Sequence, residues 1–204
     1  RPIPNIDGEA KTSGSSIYAG DVDLPGLLHA RILRSPHPHA RIRNIDLSGL
    51  KGLHGVHGVM TAHDLPDRTY IHHGGPLSDR RVLASDIVRF VGEEILGVAA
   101  ESAAVADEAI SRIVVDYELL ASAVSVSEAL APKAPLIHSS GNVPVRHARR
   151  WGSLAEGQEP EVAVSGTYRF GRQTHACMET NTVTASWNPT LGMLDVWIST
   201  QSPY

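Results

Sequence analysis

At 204 residues, with 42% hydrophobic and 20% charged side chains, the sequence has the composition of a soluble globular protein of one large or two small domains. A formal net charge of −4, without a basic stripe interleaved with aromatics, leaves no footprint for nucleic acid, and no apolar run approaches the roughly 18 residues of a membrane helix. The single cysteine, Cys177, excludes an internal disulfide framework and fits a reducing, cytoplasmic compartment, with the periplasm left open; the first residue is Arg1, so any targeting segment is out of view.

In chain order, Arg1–Asp7 carries two prolines and reads as an arm, and Asp7–Ser16 is turn-rich. A short strand is expected at Ile17–Ala19. Leu27–Leu33 alternates Leu28, Ala30 and Ile32 against His29, Arg31 and Leu33, which is strand periodicity. Ser35-Pro36-His37-Pro38 interrupts it, because proline cannot donate to a ladder. Ala40–Ile45 resumes an extended run. Leu47, Leu50 and Leu53 recur at helical spacing, but Gly49, Gly52 and Gly55 keep that helix short. Val56–Thr61 is a strand, and Asp67–Ser78 a loop with His72-His73-Gly74-Gly75-Pro76 at its tip. Ile87–Val91 and Ile95–Ala100, separated by Gly92-Glu93-Glu94, read as a hairpin. Ser102 caps the clearest helix, in which Ala106, Ala109, Ile110 and Ile113 fall on one face. Val114–Glu118 is a strand and Val124–Leu130 a short helix. Pro132–Pro160 has weak periodicity and holds a domain boundary, after which Val162–Phe170 is expected as a strand. Strands outnumber helices without a regular βαβ series, so the fold class is α+β.

The last stretch carries the candidate chemistry. Asn181–Trp187 and Leu194–Thr200 flank Asn188-Pro189-Thr190-Leu191-Gly192, which reads as a β-hairpin. A hairpin brings its outer ends together. His175, Cys177, Met178, Glu179 and Asn181 should therefore lie beside Ser199, Thr200, Gln201 and Ser202. Glu179 must be paired or solvated, and Gln201 offers one acceptor and two donors at a strand end. Cys177 has His175 two residues away but no third orienting group or oxyanion element, so it reads as a small buried hydrophobe. The histidines lack convergent metal-ligand spacing, no metal ligands are assigned, and they read as surface and turn residues. From the residues alone, the hairpin end is half of a site.

Several strings, in one order, resemble a known family: Asp7-Gly8-x-x-Lys11-x-x-Gly14, Tyr18-x-x-Asp21, Leu28-His29-Ala30-Arg31-Ile32-Leu33-Arg34-Ser35-Pro36-His37-x-His39-Ala40-Arg41-Ile42 and Gly55-Val56-x-Gly58-Val59. They continue through Asp64-Leu65-Pro66, Val91-Gly92-Glu93, Ile113-Val114-Val115-Asp116-Tyr117-Glu118, His175-x-x-Met178-Glu179 and Ser199-Thr200-Gln201-x-Pro203. Nearly end to end, the chain resembles the N-terminal part of the large molybdenum-binding chain of the xanthine dehydrogenase/aldehyde oxidase family.

The resemblance implies an α/β hammerhead domain over 8–121 and the start of a first molybdopterin-binding domain over 135–204. It implies a molybdenum hydroxylase that inserts water-derived oxygen into an N-heterocycle or aldehyde and passes electrons to iron–sulfur and FAD centres in partner chains or domains. Gln201 matches the glutamine that hydrogen-bonds the apical oxo ligand of molybdenum, and His175, Met178 and Glu179 match a supporting segment. Two departures stand out. Gly152-Ser153 replaces the family's Gly-Asp step, and neither the glycine-rich loop under molybdenum nor the catalytic glutamate is present, so no catalytic residue is assigned. The expectation is a separately encoded subunit or a piece of a longer chain, inactive alone, in an oligomer with the remainder of the molybdenum-binding chain and with iron–sulfur and flavin subunits. A non-catalytic assembly module that docks those partners is the alternative.

Overall fold

The computed structural model describes residues 3–71, 78–146, 148–152, 162, 164–171 and 173–201. In chain order the helices are α1 (Gly8–Ser13), α2 (Ala103–Arg112) and α3 (Val126–Ala129). The strands are β1 (His29–Arg34), β2 (Ala40–Asp46), β3 (Val56–Thr61), β4 (Tyr70–Ile71), β5 (Ser78–Arg80), β6 (Ile87–Val88), β7 (Glu94–Ala100), β8 (Val114–Leu119), β9 (Val183–Asn188) and β10 (Met193–Ile198). The chain divides into two units, Gly26–Gly152 and Arg1–Pro25 with Ser153–Tyr204. The mixture of small antiparallel sheets and helices is the expected α+β class.

Within Gly26–Gly152, β7 organises the rest. It lies between β1 and β3 in one antiparallel sheet, while β2 lies between β6 and β8 in another. Successive side chains on a strand point to opposite faces, and β7 is apolar on both. Ile95 packs with Ala40, Ala84 and Val88, backed by Ile42 and Tyr117. Leu96 and Val98 pack with Ala109 and Ile113, backed by Leu33, Leu50 and Val59. Helix α2 closes this second cluster. Its N-cap is Ser102, whose Oγ accepts a hydrogen bond from the Val105 N–H at 3.2 Å. Ala106 and Ala109 are fully buried, and their small side chains let the helix approach the sheet closely.

The leucine run at 47–53 forms a single 3-10 turn, Ser48–Leu50, as its glycines imply. Gly49 has a second reason to be glycine. A Cβ there would overlap the Arg112 carbonyl oxygen at the end of α2 and sit 3.2 Å from the Arg112 Cβ. The residue breaks the helix and also permits the contact.

Four expectations give way. The 87–100 segment is not a hairpin: β6 pairs with β2, and β7 with β1 and β3. The intervening loop engages Ser35 instead, whose N–H donates to Glu93 O at 2.9 Å and whose carbonyl accepts from Gly92 N–H at 2.8 Å. Gly92 takes the left-handed backbone, φ 93°, that lets the chain change sheets. Ile17–Ala19 is not a strand; Ile17 is exposed and the chain enters a 3-10 turn at Ala19–Asp21. The turn-rich start contains helix α1, ended by Gly14 at φ 74°. Residues 164–170, within the strand expected at Val162–Phe170, form no strand: among the described residues they have no ladder partner, and Val164, Tyr168 and Phe170 stand in solvent. The tip of the 67–78 loop, with His72 and His73, lies outside the described residues.

Glu93 is a buried carboxylate that accepts a hydrogen bond from the Arg89 N–H. Burial pushes its carboxyl above the ordinary value of 4.5, against the downward pull of the Arg89 N–H and guanidinium. The folded state therefore holds this proton more tightly than the unfolded chain. Stability from this group is greatest below pH 4.5 and falls as pH rises toward the raised folded value. Glu93→Gln should gain stability relative to the parent as pH rises through that window, when denaturant midpoints are measured from about pH 4 to 7. A difference that stays constant with pH would contradict this origin.

Candidate functional site

The site sits at the open end of the β9–β10 ribbon. The two strands pair antiparallel from Val183↔Ile198 to Asn188↔Met193. The turn is built by Asn188, whose Oδ1 accepts from the Thr190 and Leu191 N–H groups at 3.1 Å, and by Gly192 at φ 62°. At the other end Ser199 ties the two outgoing segments together. Its Oγ accepts from Thr182 N–H and donates to Thr180 O, both at 3.0 Å, while its own N–H donates to Thr182 O at 3.2 Å. Thr184, buried, donates through Oγ1 to Ala19 O at 3.2 Å and fixes the ribbon to the 19–21 turn.

These ties frame an open concavity of about 1160 Å³. Gln201, His175 and Glu179 all line it, together with Cys177, Asn181 and Ser199. The structure thus brings together three of the four residues singled out from sequence. Met178 is the exception: it is fully exposed and, alone among residues 174–181, does not line the concavity. Ile17, Tyr18, Ala19 and Val22 form another wall that residue chemistry alone did not reveal. The only signal for them was the Tyr18-x-x-Asp21 string, whose Asp21 carboxylate accepts from the Tyr18 N–H at 2.9 Å and shapes that turn.

Two further readings change. Cys177 is exposed rather than buried. His39 is not a surface residue: it is buried, with its Nδ1 2.6 Å from Ala121 O, and His37 packs edge-on against Tyr117 with ring centroids 4.8 Å apart. Among the described residues no three His, Cys, Asp or Glu side chains gather as a metal site.

Ala176, between the two wall residues His175 and Cys177, has φ 47°. A left-handed alanine costs about 1–2 kcal/mol, so the surrounding loop must hold it. Ala176→Val, with a branched Cβ, should speed amide exchange across 175–182 by roughly tenfold or more, whereas Ala176→Gly should not. Equal exchange in both variants would show that this backbone does not shape the wall.

The lining mixes neutral hydrogen-bonding side chains with apolar ones and carries Glu179 as its carboxylate. Among the described residues nothing hydrogen-bonds to the Gln201 side-chain amide. Among those residues, too, no lysine or arginine lines the concavity, so an anionic group such as a phosphate has no cationic partner on these walls. What the walls can do is present directional neutral donors and acceptors to a polar ligand.

Comparison with known proteins places the chain. Residues 13–121 match the family described as "Aldehyde oxidase and xanthine dehydrogenase, a/b hammerhead domain", and residues 138–204 match the "Molybdopterin cofactor-binding domain". The chain is 36% identical to a probable xanthine dehydrogenase subunit of Bacillus subtilis, over 85% of this chain and 23% of that protein. It is 32% identical to the nicotinate dehydrogenase large molybdopterin subunit of Eubacterium barkeri, over 98% of this chain and 46% of that one. The quinoline 2-oxidoreductase of Pseudomonas putida 86 superposes with a TM-score of 0.87 at 30% identity, covering 98% of this chain and 27% of its own. The chain therefore spans less than half the length of these relatives. With a family match over more than half its residues, in the expected order of hammerhead and cofactor-binding segments, it belongs to the aldehyde oxidase and xanthine dehydrogenase family.

Proposed function

We propose that this chain is part of a molybdenum-dependent hydroxylase or dehydrogenase, in which it houses one side of a molybdopterin-bound molybdenum site. We assign residues 8–121 to the hammerhead domain and 135–204 to the start of the cofactor-binding domain, bounds supported by the matches over 13–121 and 138–204. The observation that carries the reading is the concavity at the ribbon end, where Gln201, His175 and Glu179 converge within the cofactor-binding match.

The donor set fits the group. A pterin ring presents amide-like donors and acceptors, and neutral amide and hydroxyl side chains pair with those at little desolvation cost. Its phosphate needs cationic or helix-terminal contacts, which the described walls do not supply. When bound, the molybdenum cofactor would supply oxygen insertion and accept two electrons. In this chain, Gln201 would donate an N–H to the cofactor and hold it in one orientation. Glu179 and His175 would fix the neighbouring wall, and Ser199 would keep the two segments in register. Met178, fully exposed and outside the lining, would make no contact with the cofactor from this chain's side.

The substrate would be an N-heterocycle or aldehyde, and the electrons would leave through iron–sulfur and FAD centres on partner chains within an oligomer. The relatives' names include nicotinate, nicotine and carbon monoxide enzymes, so membership of the family does not by itself select one substrate. No helix among the described residues is long and apolar enough to cross a membrane. We place the chain in the cytoplasm, with the periplasm as the alternative, on the single cysteine of its sequence.

Metal analysis of the enzyme isolated through this chain tests the proposal. Molybdenum together with iron is expected. Neither metal would leave an assembly module in its place, and stoichiometric zinc or nickel would overturn the assignment.

A further inference from the structure

Glu179 is the carboxylate of the concavity, and no lysine or arginine among the described residues shares its walls. Its backbone is held while its side chain is free. The next carbonyl along the chain, Thr180 O, accepts from Ser199 Oγ at 3.0 Å and from Thr182 Oγ1 at 3.3 Å, which ties the segment to the ribbon end. The Glu179 residue is exposed, and among the described residues its carboxylate neither accepts a hydrogen bond nor forms an ion pair. In open water a carboxylate needs no protein partner. Under a ligand that fills the concavity it would lose its water, and a charge shut off from solvent without a partner is costly. A carboxylate only accepts, so the occupant must turn donors toward it. Two parallel N–H groups meeting its two oxygens make the strongest such contact.

We propose that Glu179 recognises the 2-amino-4-oxopyrimidine edge of the ligand, where a ring N–H and an exocyclic amino group point the same way. A pterin ring presents this edge, and a guanine shares it. The assignment rests on the functional reading above and deepens it, giving Glu179 a direct contact beyond its place in the wall. It also orients the ligand. The donor edge faces Glu179, and an anionic group such as a phosphate points away, repelled by the same carboxylate and matched by no cation on these walls.

Fluorescence titration of the cofactor-depleted enzyme with pterin (2-amino-4-oxopteridine) and lumazine (2,4-dioxopteridine) tests this. The two differ at the 2-position, amino in one and oxo in the other. Pterin should bind roughly tenfold or more tightly, the factor for a hydrogen bond to a charged partner. Glu179→Gln should bind the two alike, because an amide pairs with the N–H and 4-oxo edge that both rings carry. Glu179→Asp keeps a carboxylate at shorter reach, and should keep the preference with weaker binding. Both variants should stay folded, since no hydrogen bond among the described residues depends on the Glu179 carboxylate. Guanosine, read by displacement of pterin, carries the same edge; tighter binding than pterin would support the edge and assign it to a nucleotide base. Equal binding of pterin and lumazine, no binding of either, or a preference that survives in Glu179→Gln would overturn the proposal. Molybdenum content of the untreated enzyme separates the two claims. A Glu179-dependent preference without molybdenum leaves the edge standing and sinks the functional reading, and molybdenum without that preference does the reverse.

Discussion

Gln201→Ala is expected to lower turnover of the complete enzyme by roughly 10²-fold, the scale seen when one positioned neutral donor is removed from a reacting centre. The protein should stay folded, because the Gln201 side chain is exposed and no hydrogen bond among the described residues depends on its amide. The loss should appear in kcat more than in KM, since the residue faces the cofactor side of the concavity in this account rather than the substrate. Gln201→Asn keeps an amide but shortens its reach, and should recover only part of the rate. Full activity in Gln201→Ala, with unchanged cofactor spectra, would remove the residue from the site.

The second large effect is on stability. Leu96→Ala should destabilise the Gly26–Gly152 unit by about 2–5 kcal/mol, the range for a buried leucine truncated in a packed core. Leu96 is fully buried at the centre of the cluster formed by Val98, Ala109 and Ile113, where the sheet and α2 meet. The cavity cannot collapse easily, because its walls come from a central strand and a capped helix. Denaturant unfolding should show a lower midpoint with little change in slope. By contrast, Arg31→Ala removes a 2.6 Å ion pair to Asp107 between exposed side chains, and should cost under about 1 kcal/mol. A small effect at Leu96 would mean that β7 is not the strand on which this unit depends.

How far the sequence discloses the fold follows from which signals are local. Strand β3 and helix α2 were legible because alternation, an N-cap serine and a 3.6-residue period are properties of short windows. The terminal ribbon was legible for the same reason, with Asn188 and Gly192 writing the turn into the chain. Pairing partners were not. Nothing within 87–100 says that β6 will join β2 while β7 joins β1 and β3; the partners, and Ser35 that bonds the loop backbone, are distant in the chain. The strand expected at Val162–Phe170 fails similarly over its described residues 164–170: the β-rich composition is real, but a strand exists only with a ladder partner.

The site divides along the same line. Gln201, Glu179 and His175 could be grouped because one hairpin joins their segments. The wall from Ile17 to Val22 could not, since it reaches the ribbon through a Thr184–Ala19 hydrogen bond that no spacing rule encodes. Cys177 was misjudged as buried because lone cysteines usually are; here the residue borders an open concavity.

That position makes Cys177 a reporter on the wall of the proposed cofactor site, and the sole cysteine of the chain. The most direct measurement is its alkylation rate, read by peptide mass spectrometry in the enzyme with its molybdenum cofactor bound and in the same enzyme depleted of it. If Gln201 and its neighbours receive the cofactor, Cys177 is shielded in the loaded enzyme and reacts freely in the depleted one. Equal rates in the two forms, with molybdenum verified in one and absent from the other, would place the cofactor elsewhere and contradict the account.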